Sequence, residues 1–305
     1  MQLVKKLKRC LKKAINLTPL PLWYAADEDL ASLRRKINFY LAFTTSRRNI
    51  YSRETAFLNS SASLSNHWSF VFPYPFVFDY AGKNTEVHRD RTNGLFYVMH
   101  NDKRLYYCRK YLTEADVRQA YDAICLEQDQ GSPHCYMNEL FCVGENDTVV
   151  DIGAAEGNFA LDVIEKAGMI WIIEPDSDWA EALKATFRPW ENKVRIINKF
   201  ASDTDGGDNI TLNGLLGENG VDFIKMDVGG AEASIIRSSE KLLEKNPSVR
   251  LAVCTYHRKN DAADCEKILT SLGFNCSFTE GYMLYAFTNL TAPFFRKTLI
   301  RARKA

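Results

Sequence analysis

From Thr148 onward the chain alternates strand-like and helix-like stretches so regularly that few folds remain open to it. TVVDIG, MIWIIEP, VRIINKFAS, DFIKMDV and RLAVCTYH are short runs rich in β-branched residues. Among them lie EGNFALDVIEKAG, DSDWAEALKATF and AEASIIRSSEKLLEKN, with DAADCEKILTSLG after the last, ending at Gly273; all four have apolar residues at helical spacing. Strands with consecutive apolar residues are buried on both faces, as parallel strands between two helical layers must be. The pattern predicts an α/β fold built on a doubly wound sheet. NCSFTEGYMLYAFTNL then offers two more strands around Glu280-Gly281. A turn that tight joins only antiparallel strands, so a terminal antiparallel hairpin is predicted.

Residues 1–130 have a different character and read as an N-terminal α+β accessory region on the substrate side. EDLASLRRKINFYLAF looks helical and is followed by a polar, Ser-rich stretch. WSFVFPYPFVFDY and LFYVMHNDKRLYYCRKY are aromatic and β-branched, with Asn101-Asp102-Lys103-Arg104 at a hairpin turn. The aromatic run at 68–80 reads as core more readily than as a sugar-stacking surface. Thr113 and Asp116 have the spacing of a capping box for a helix running to about Gln128. Residues 131–292 are then the sheet domain, and residues 293–305 a basic C-terminal tail.

Charge narrows the function. Residues 1–13 carry six Lys/Arg and residues 294–305 five, with no acid in either; setting those eleven against the net +1 leaves −10 on the remainder. An acidic body argues against a nucleic-acid groove, which normally shows a basic face on the folded domain itself. Leu3, Leu7, Leu11 and Ile15 form a helical stripe flanked by lysines, suited to docking on the body or to peripheral contact with an anionic membrane. No apolar run reaches membrane-spanning length, and no signal peptide is visible, so the expected location is cytoplasmic, with membrane association as the alternative. Eight cysteines without metal or disulfide spacing read as reduced thiols.

In a doubly wound sheet, ligands bind beyond the carboxyl ends of the strands. The first strand ends in Asp151-Ile-Gly153-Ala-Ala155-Glu-Gly157-Asn158. Its glycines permit a sharp turn and close ligand approach, and Ala155 breaks the G-x-G-x-x-G pattern of nicotinamide dehydrogenases. Such a loop suits an amino-acid-bearing ligand whose ammonium meets Asp151 or loop carbonyls. Glu174 closes the second strand, 21 positions after Gly153, where a carboxylate accepts ribose hydroxyls; Asp176 follows it. Ser202 and Asp203 close the third and are placed to border an adenine. These strand ends together describe a nucleoside linked to an amino acid.

VVDIGAAEGNFAL, IIEPD, FASD and DFIKMDVGGAE resemble the FkbM family of S-adenosylmethionine-dependent methyltransferases over roughly residues 132–290. The resemblance implies a Rossmann-like methyltransferase sheet, S-adenosyl-L-methionine (SAM) as cofactor, and a cofactor site lined by Asp151, Gly153, Gly157, Glu174 and Asp203; Ala155, Asn158, Asp176, Ser202 and Asp227, at the same strand ends, are expected to complete it. It also implies O-methylation of a small molecule or glycan. The chain departs from the family at Gly229, where a glutamate is usual, and at Asn213, where an aspartate is common. The first departure leaves a SAM-binding protein without catalysis as the alternative. A hydroxyl acceptor needs a base, and Asp227 and His257, ending neighbouring strands, are the expected catalytic pair. His257 is the preferred base, since imidazole titrates near neutrality. His134 and Glu232 are expected on the substrate side. Two carboxylates are few for Mg²⁺, so no metal is expected.

Overall fold

The computed structural model describes residues 30–42, 50–60, 71–284 and 294–304. The N-terminal region supplies helices α1 (Leu30–Ala42) and α2 (Ser52–Leu58), strands β1 (Val87–Arg89), β2 (Phe96–His100) and β3 (Lys103–Tyr106), and helix α3 (Glu114–Glu127). The predicted turn is present: Asn101 and Asp102 both have positive φ, and His100 pairs with Lys103. Two such residues give the mirror-image turn whose twist matches that of the strands. Thr113 and Asp116 form the expected capping box at the start of α3. The stretch after Pro73 is not a strand. Pro75–Tyr80 forms a 3-10 helix, and Val71, Phe72, Tyr74 and Val77 are buried core.

The second half contains β4 (Thr148–Ile152), α4 (Asn158–Val163), β5 (Met169–Ile173), α5 (Trp179–Phe187), β6 (Val194–Ile197), β7 (Phe200–Ala201), β8 (Asn209–Ile210), α6 (Leu212–Leu216), β9 (Phe223–Met226), α7 (Glu232–Ser238), α8 (Glu240–Lys245), β10 (Arg250–Cys254) and α9 (Asp261–Ser271). Strands β11 (Asn275–Phe278), β12 (Met283–Leu284), β13 (Phe295–Arg296) and β14 (Leu299–Arg303) complete the described elements. The main sheet has seven strands in the order β11-β14-β10-β9-β4-β5-β6. β4, β5, β6, β9 and β10 are parallel, and β14 is antiparallel to both of its neighbours. The order reverses between β4 and β9, which is where such sheets open a ligand crevice.

Alternate residues of each strand feed two cores. Val149, Ile170, Phe223 and Ala252 pack on one face with α3, α4, α5 and the N-terminal hairpin. Val150, Ile173, Ile224 and Val253 pack on the other with α6 to α9. The N-terminal region therefore shares a core with the sheet. His100 Nε2 and Asn101 Nδ2, each 2.8 Å from Asp162 Oδ1, fasten its hairpin to α4.

Three expectations are corrected. The terminal hairpin across Glu280-Gly281 does not form: β11 pairs with β14, while Met283–Leu284 pairs with Phe295–Arg296. The antiparallel strand inserted beside β10 is Leu299–Arg303, so the sheet extends past residue 292 and the basic tail is part of it. Leu299, Ile300 and Ala302 are fully buried, and Arg301 donates to the carbonyls of Cys135, Tyr136 and Met137. The arginines disguised an apolar strand. Finally, VRIINKFAS breaks after Ile197, and Phe200–Ala201 joins β8 in a separate ladder. The basic stripe at residues 1–16 lies outside the described residues. Among the described residues no helix is long and apolar enough to cross a membrane, and the seven described cysteines are free thiols.

Candidate active site

The loop after β4 fits closely against the end of β9. Gly153 has φ +73°, and a Cβ there would lie 1.9 Å from the Asp227 carbonyl oxygen, so only glycine fits. Gly157, at φ +83°, leaves room for Leu183 and Phe187. Ala155 holds φ +47°, a strained conformation for a residue with a side chain. Glu174 fixes this geometry from the end of β5: its Oε2 accepts from Ala155 N–H (2.8 Å) and its Oε1 from Asp176 N–H (2.9 Å).

A pocket of about 140 Å³ opens beside this loop. Gly153, Ala154, Ala155, Glu156 and Asn158 form one wall, and Ala120, Ala123, Ile124, Glu127 and Gln128 of α3 and its cap form another; Tyr111, Tyr136, Lys225 and Asp227 complete it. Of the expected residues, the structure brings Gly153, Ala155, Asn158 and Asp227 to this pocket. Gly157 turns the chain behind it.

Asp151 lies deeper than expected. It is fully buried, and Lys225 Nζ sits 3.0 Å from its Oδ1 while donating to the Gly153 carbonyl at 2.6 Å. Burial lowers the pKa of Lys225, but the Asp151 and Asp227 carboxylates outweigh it and keep the ammonium charged. The acid expected to meet a ligand's ammonium thus already has a cation. Asp176 is also engaged, 2.7 Å from Lys110 Nζ. Ser202 and Asp203 follow the separate β7 ladder, so they do not end the third main strand. Asn198 does, and it donates to the carbonyls of Glu174 and Pro175.

Asp227 is the centre of a dense network. Its Oδ1 is 3.2 Å from His257 Nε2 and accepts from Tyr256 Oη at 3.1 Å. Its Oδ2 accepts from Tyr136 Oη at 3.1 Å and lies 3.6 Å from His134 Nε2. Burial raises its pKa, but the hydrogen bonds from His134 and His257 prevail and hold it well below the usual carboxylate range. His257 is clamped from its other side by Glu232 Oε1, 3.0 Å from Nδ1. Burial lowers the histidine's pKa, but the bonds to Asp227 and Glu232 win and push it up to about 10.

These contacts speak against the expected base. The two nitrogens of His257 face the Asp227 and Glu232 carboxylates, which favour its protonated form and leave it no free site for a further proton. Asp227 is a stabilised anion whose basicity its donors have spent. His134 (1% exposed) and Glu232 (0%) are buried away from the pocket opening, against Asp227 and His257 respectively. Ligand atoms of His134, Asp227 and Cys254, and of Asp227, Glu232 and His257, come within 4.8 Å of one another. In the second group the two nitrogens of His257 face different carboxylates, the geometry of a hydrogen-bonded relay rather than of one ion's ligand shell.

Sequence reasoning gave no role to Lys225, Glu156, Tyr136 or Tyr256. A lysine inside the apolar run FIKM, which is buried at every position, was the available signal. Glu156 and Glu127 are pocket carboxyls that burial raises to about 8 and about 7.

Raised pKa values in His257, Glu127 and Glu156 all act in one direction. Each gives stability that is complete below the group's ordinary pKa and lost as pH rises through the raised one. The melting temperature is therefore expected to fall steadily from mildly acidic pH toward about 10. Glu156→Gln should melt roughly 5 °C above wild type near pH 9, where the wild-type carboxylate is charged and buried. Equal melting curves for the two proteins at that pH would show that Glu156 is better solvated than its surroundings imply.

Residues 200–276 match the family Methyltransferase FkbM domain. No curated protein matches the chain. Similar solved structures include a precorrin-6y C5,15-methyltransferase from Geobacter metallireducens GS-15, 12% identical, TM-score 0.38, covering 53% of this chain and 82% of that one. An rRNA methylase from Streptococcus thermophilus is 13% identical, TM-score 0.38, covering 53% and 89%. Magnesium protoporphyrin IX methyltransferase from Synechocystis PCC 6803 with bound SAH is 14% identical, TM-score 0.35, covering 53% and 75%.

Proposed function

We propose that this chain, whose residues 200–276 match the Methyltransferase FkbM domain, is a SAM-dependent methyltransferase that methylates a hydroxyl group of a sugar, glycan or related small polyol. The observation that carries this reading is the chemistry of the pocket wall. Glu127, Glu156 and Asn158 line it with carboxyl and carboxamide groups, beside Gln128, Asp227, Tyr111 and Tyr136. Such a lining accepts hydrogen bonds from several hydroxyls at once, as a polyol requires and an apolar acceptor does not.

The residues present also fit the cofactor. SAM supplies an electrophilic methyl on a sulfonium. The Gly153 turn allows close backbone approach, and Glu174 keeps lone pairs for ribose hydroxyls beyond its two backbone bonds. Glu156 takes the place first expected of Asp151 beside a ligand's ammonium, because Asp151 is already paired with Lys225; burial raises Glu156 to about 8, and an ammonium bound beside it would draw off its proton and make it the counter-charge. Asp227, its side chain 18% exposed, is a fixed anion facing positive charge in the pocket. Preorganised charge of this kind needs no rearrangement as the reaction proceeds.

The Gly229 departure does not remove this anion. Gly229 is exposed at φ +69° with open space around it, so a glutamate there would extend outward from a strained backbone. The network around Asp227 is complete without it. Calorimetry with SAM and NAD, followed by S-adenosylhomocysteine release with a panel of methyl glycosides, tests the function. SAM binding together with product release is expected. SAM binding without release from any hydroxylated acceptor would favour the non-catalytic alternative, and NAD binding without SAM binding would end the assignment.

A further inference from the structure

We infer that Glu127, from the N-terminal helix α3, is the base that receives the acceptor hydroxyl's proton. The inference rests on the hydroxyl-acceptor reading above. It makes the N-terminal region a contributor of catalytic chemistry and not only a cover for the sheet.

Three carboxyl groups reach the pocket, and two are committed. Asp227 is held by phenols and imidazoles, which leaves it a poor proton acceptor. Glu156 belongs to the loop that turns at Gly153 and is the counter-charge on the cofactor side. Glu127 is the last residue of α3 and lines the pocket on that helix's wall. Among the described residues no hydrogen bond engages its carboxylate; the nearest ion-pair contact is His134 Nδ1, 4.0 Å from Oε2. Gln128 fixes the turn that presents it, accepting from Tyr136 N–H at 3.1 Å while its Nε2 lies 3.2 Å from His134 Nδ1. The base is thus free while its mounting is rigid.

The charged and titratable groups facing Glu127 are His134, Asp227 and Lys225 and the phenols of Tyr136 and Tyr256, with Glu156 in the same pocket. Burial raises its pKa to about 7; His134 and Lys225 oppose this and Asp227 adds to it. A base matched to neutral pH combines a usefully large ionised fraction with real proton affinity. In the step, Glu127 takes the hydroxyl proton while the oxygen's electron pair forms the bond to the methyl carbon. The carbon–sulfur bond breaks with its pair on sulfur, leaving a neutral thioether, and Glu127 later releases the proton to water.

The test compares full-length wild type with Glu127→Gln and Glu127→Asp, using SAM and the methyl glycoside panel. Glu127→Gln is expected to bind SAM within about 3-fold of wild type by calorimetry, which also reports that the site is folded. Its turnover should fall ~10²–10⁴-fold. The rise of kcat/KM with pH near 7 should vanish in Glu127→Gln and persist in Glu127→Asp at a reduced rate. Turnover within about 3-fold of wild type in Glu127→Gln overturns the proposal, and so does loss of SAM binding, which would make Glu127 part of the cofactor site. A wild type that binds SAM but methylates no glycoside removes the hydroxyl-acceptor reading itself, and the base falls with it.

Discussion

Asp227→Asn is expected to be the most damaging conservative change in the chain, lowering turnover ~10²–10³-fold and the melting temperature by about 10 °C. Asparagine matches aspartate in shape, so the effect isolates charge. Asp227 accepts from two tyrosine hydroxyls and faces two histidine nitrogens. The variant's Nδ2 donor would have to point at one of these groups. His257 would also lose one of the two carboxylates that keep it protonated. Breaking a buried charge network by removing one partner costs ~3–5 kcal/mol. The alkaline decline in stability between about pH 6.5 and 10 should also shrink in Asp227→Asn, because His257 returns toward its ordinary pKa. Melting curves of both proteins across that range check this. An unchanged alkaline slope would mean that Glu232 alone holds the imidazolium.

The sheet was legible in the sequence because both faces of it are buried. β4, β5, β9 and β10 carry consecutive apolar residues that no amphipathic surface element would tolerate, and their helices carry the complementary period. The Gly153 loop was legible because a strand followed by D-x-G-x-x-x-G states its own backbone requirement, and the 1.9 Å approach to Asp227 shows why. The last strand was hidden by its arginines. Arg301 has partners in the Cys135–Met137 segment, which is distant in sequence, so nothing local marks it as buried. The same holds for the site. Strand-end position correctly brought Asp227 and His257 together, but a histidine's role depends on what faces its second nitrogen. Glu232 decides that, and no spacing rule reveals its 3.0 Å contact. Glu127 came from an element outside the repeating pattern altogether.

Lys225→Met should rival Asp227→Asn in its cost to stability, for a reason that a double mutant can isolate. Asp151 is fully buried, and Lys225 is the cation at its carboxylate. Methionine keeps most of the packing volume but leaves an uncompensated buried charge, expected to cost ~3–5 kcal/mol. It also releases the Gly153 carbonyl that Lys225 holds at 2.6 Å, so SAM affinity should fall along with stability. Asp151→Asn alone strands the ammonium instead, although Asp227 lies near enough to share it. In the double variant neither charge remains, and at least half of the lost stability should return, as expected when a buried ion pair is replaced by neutral groups. SAM affinity should not return with it, because the Gly153 turn still lacks its anchor. That split separates the pair's two roles: holding the strand ends together, and fixing the loop from which the ligand is bound. Denaturation midpoints and SAM titrations on the three variants decide it. Simple additivity of the two single changes would show that Asp151 and Lys225 are not coupled.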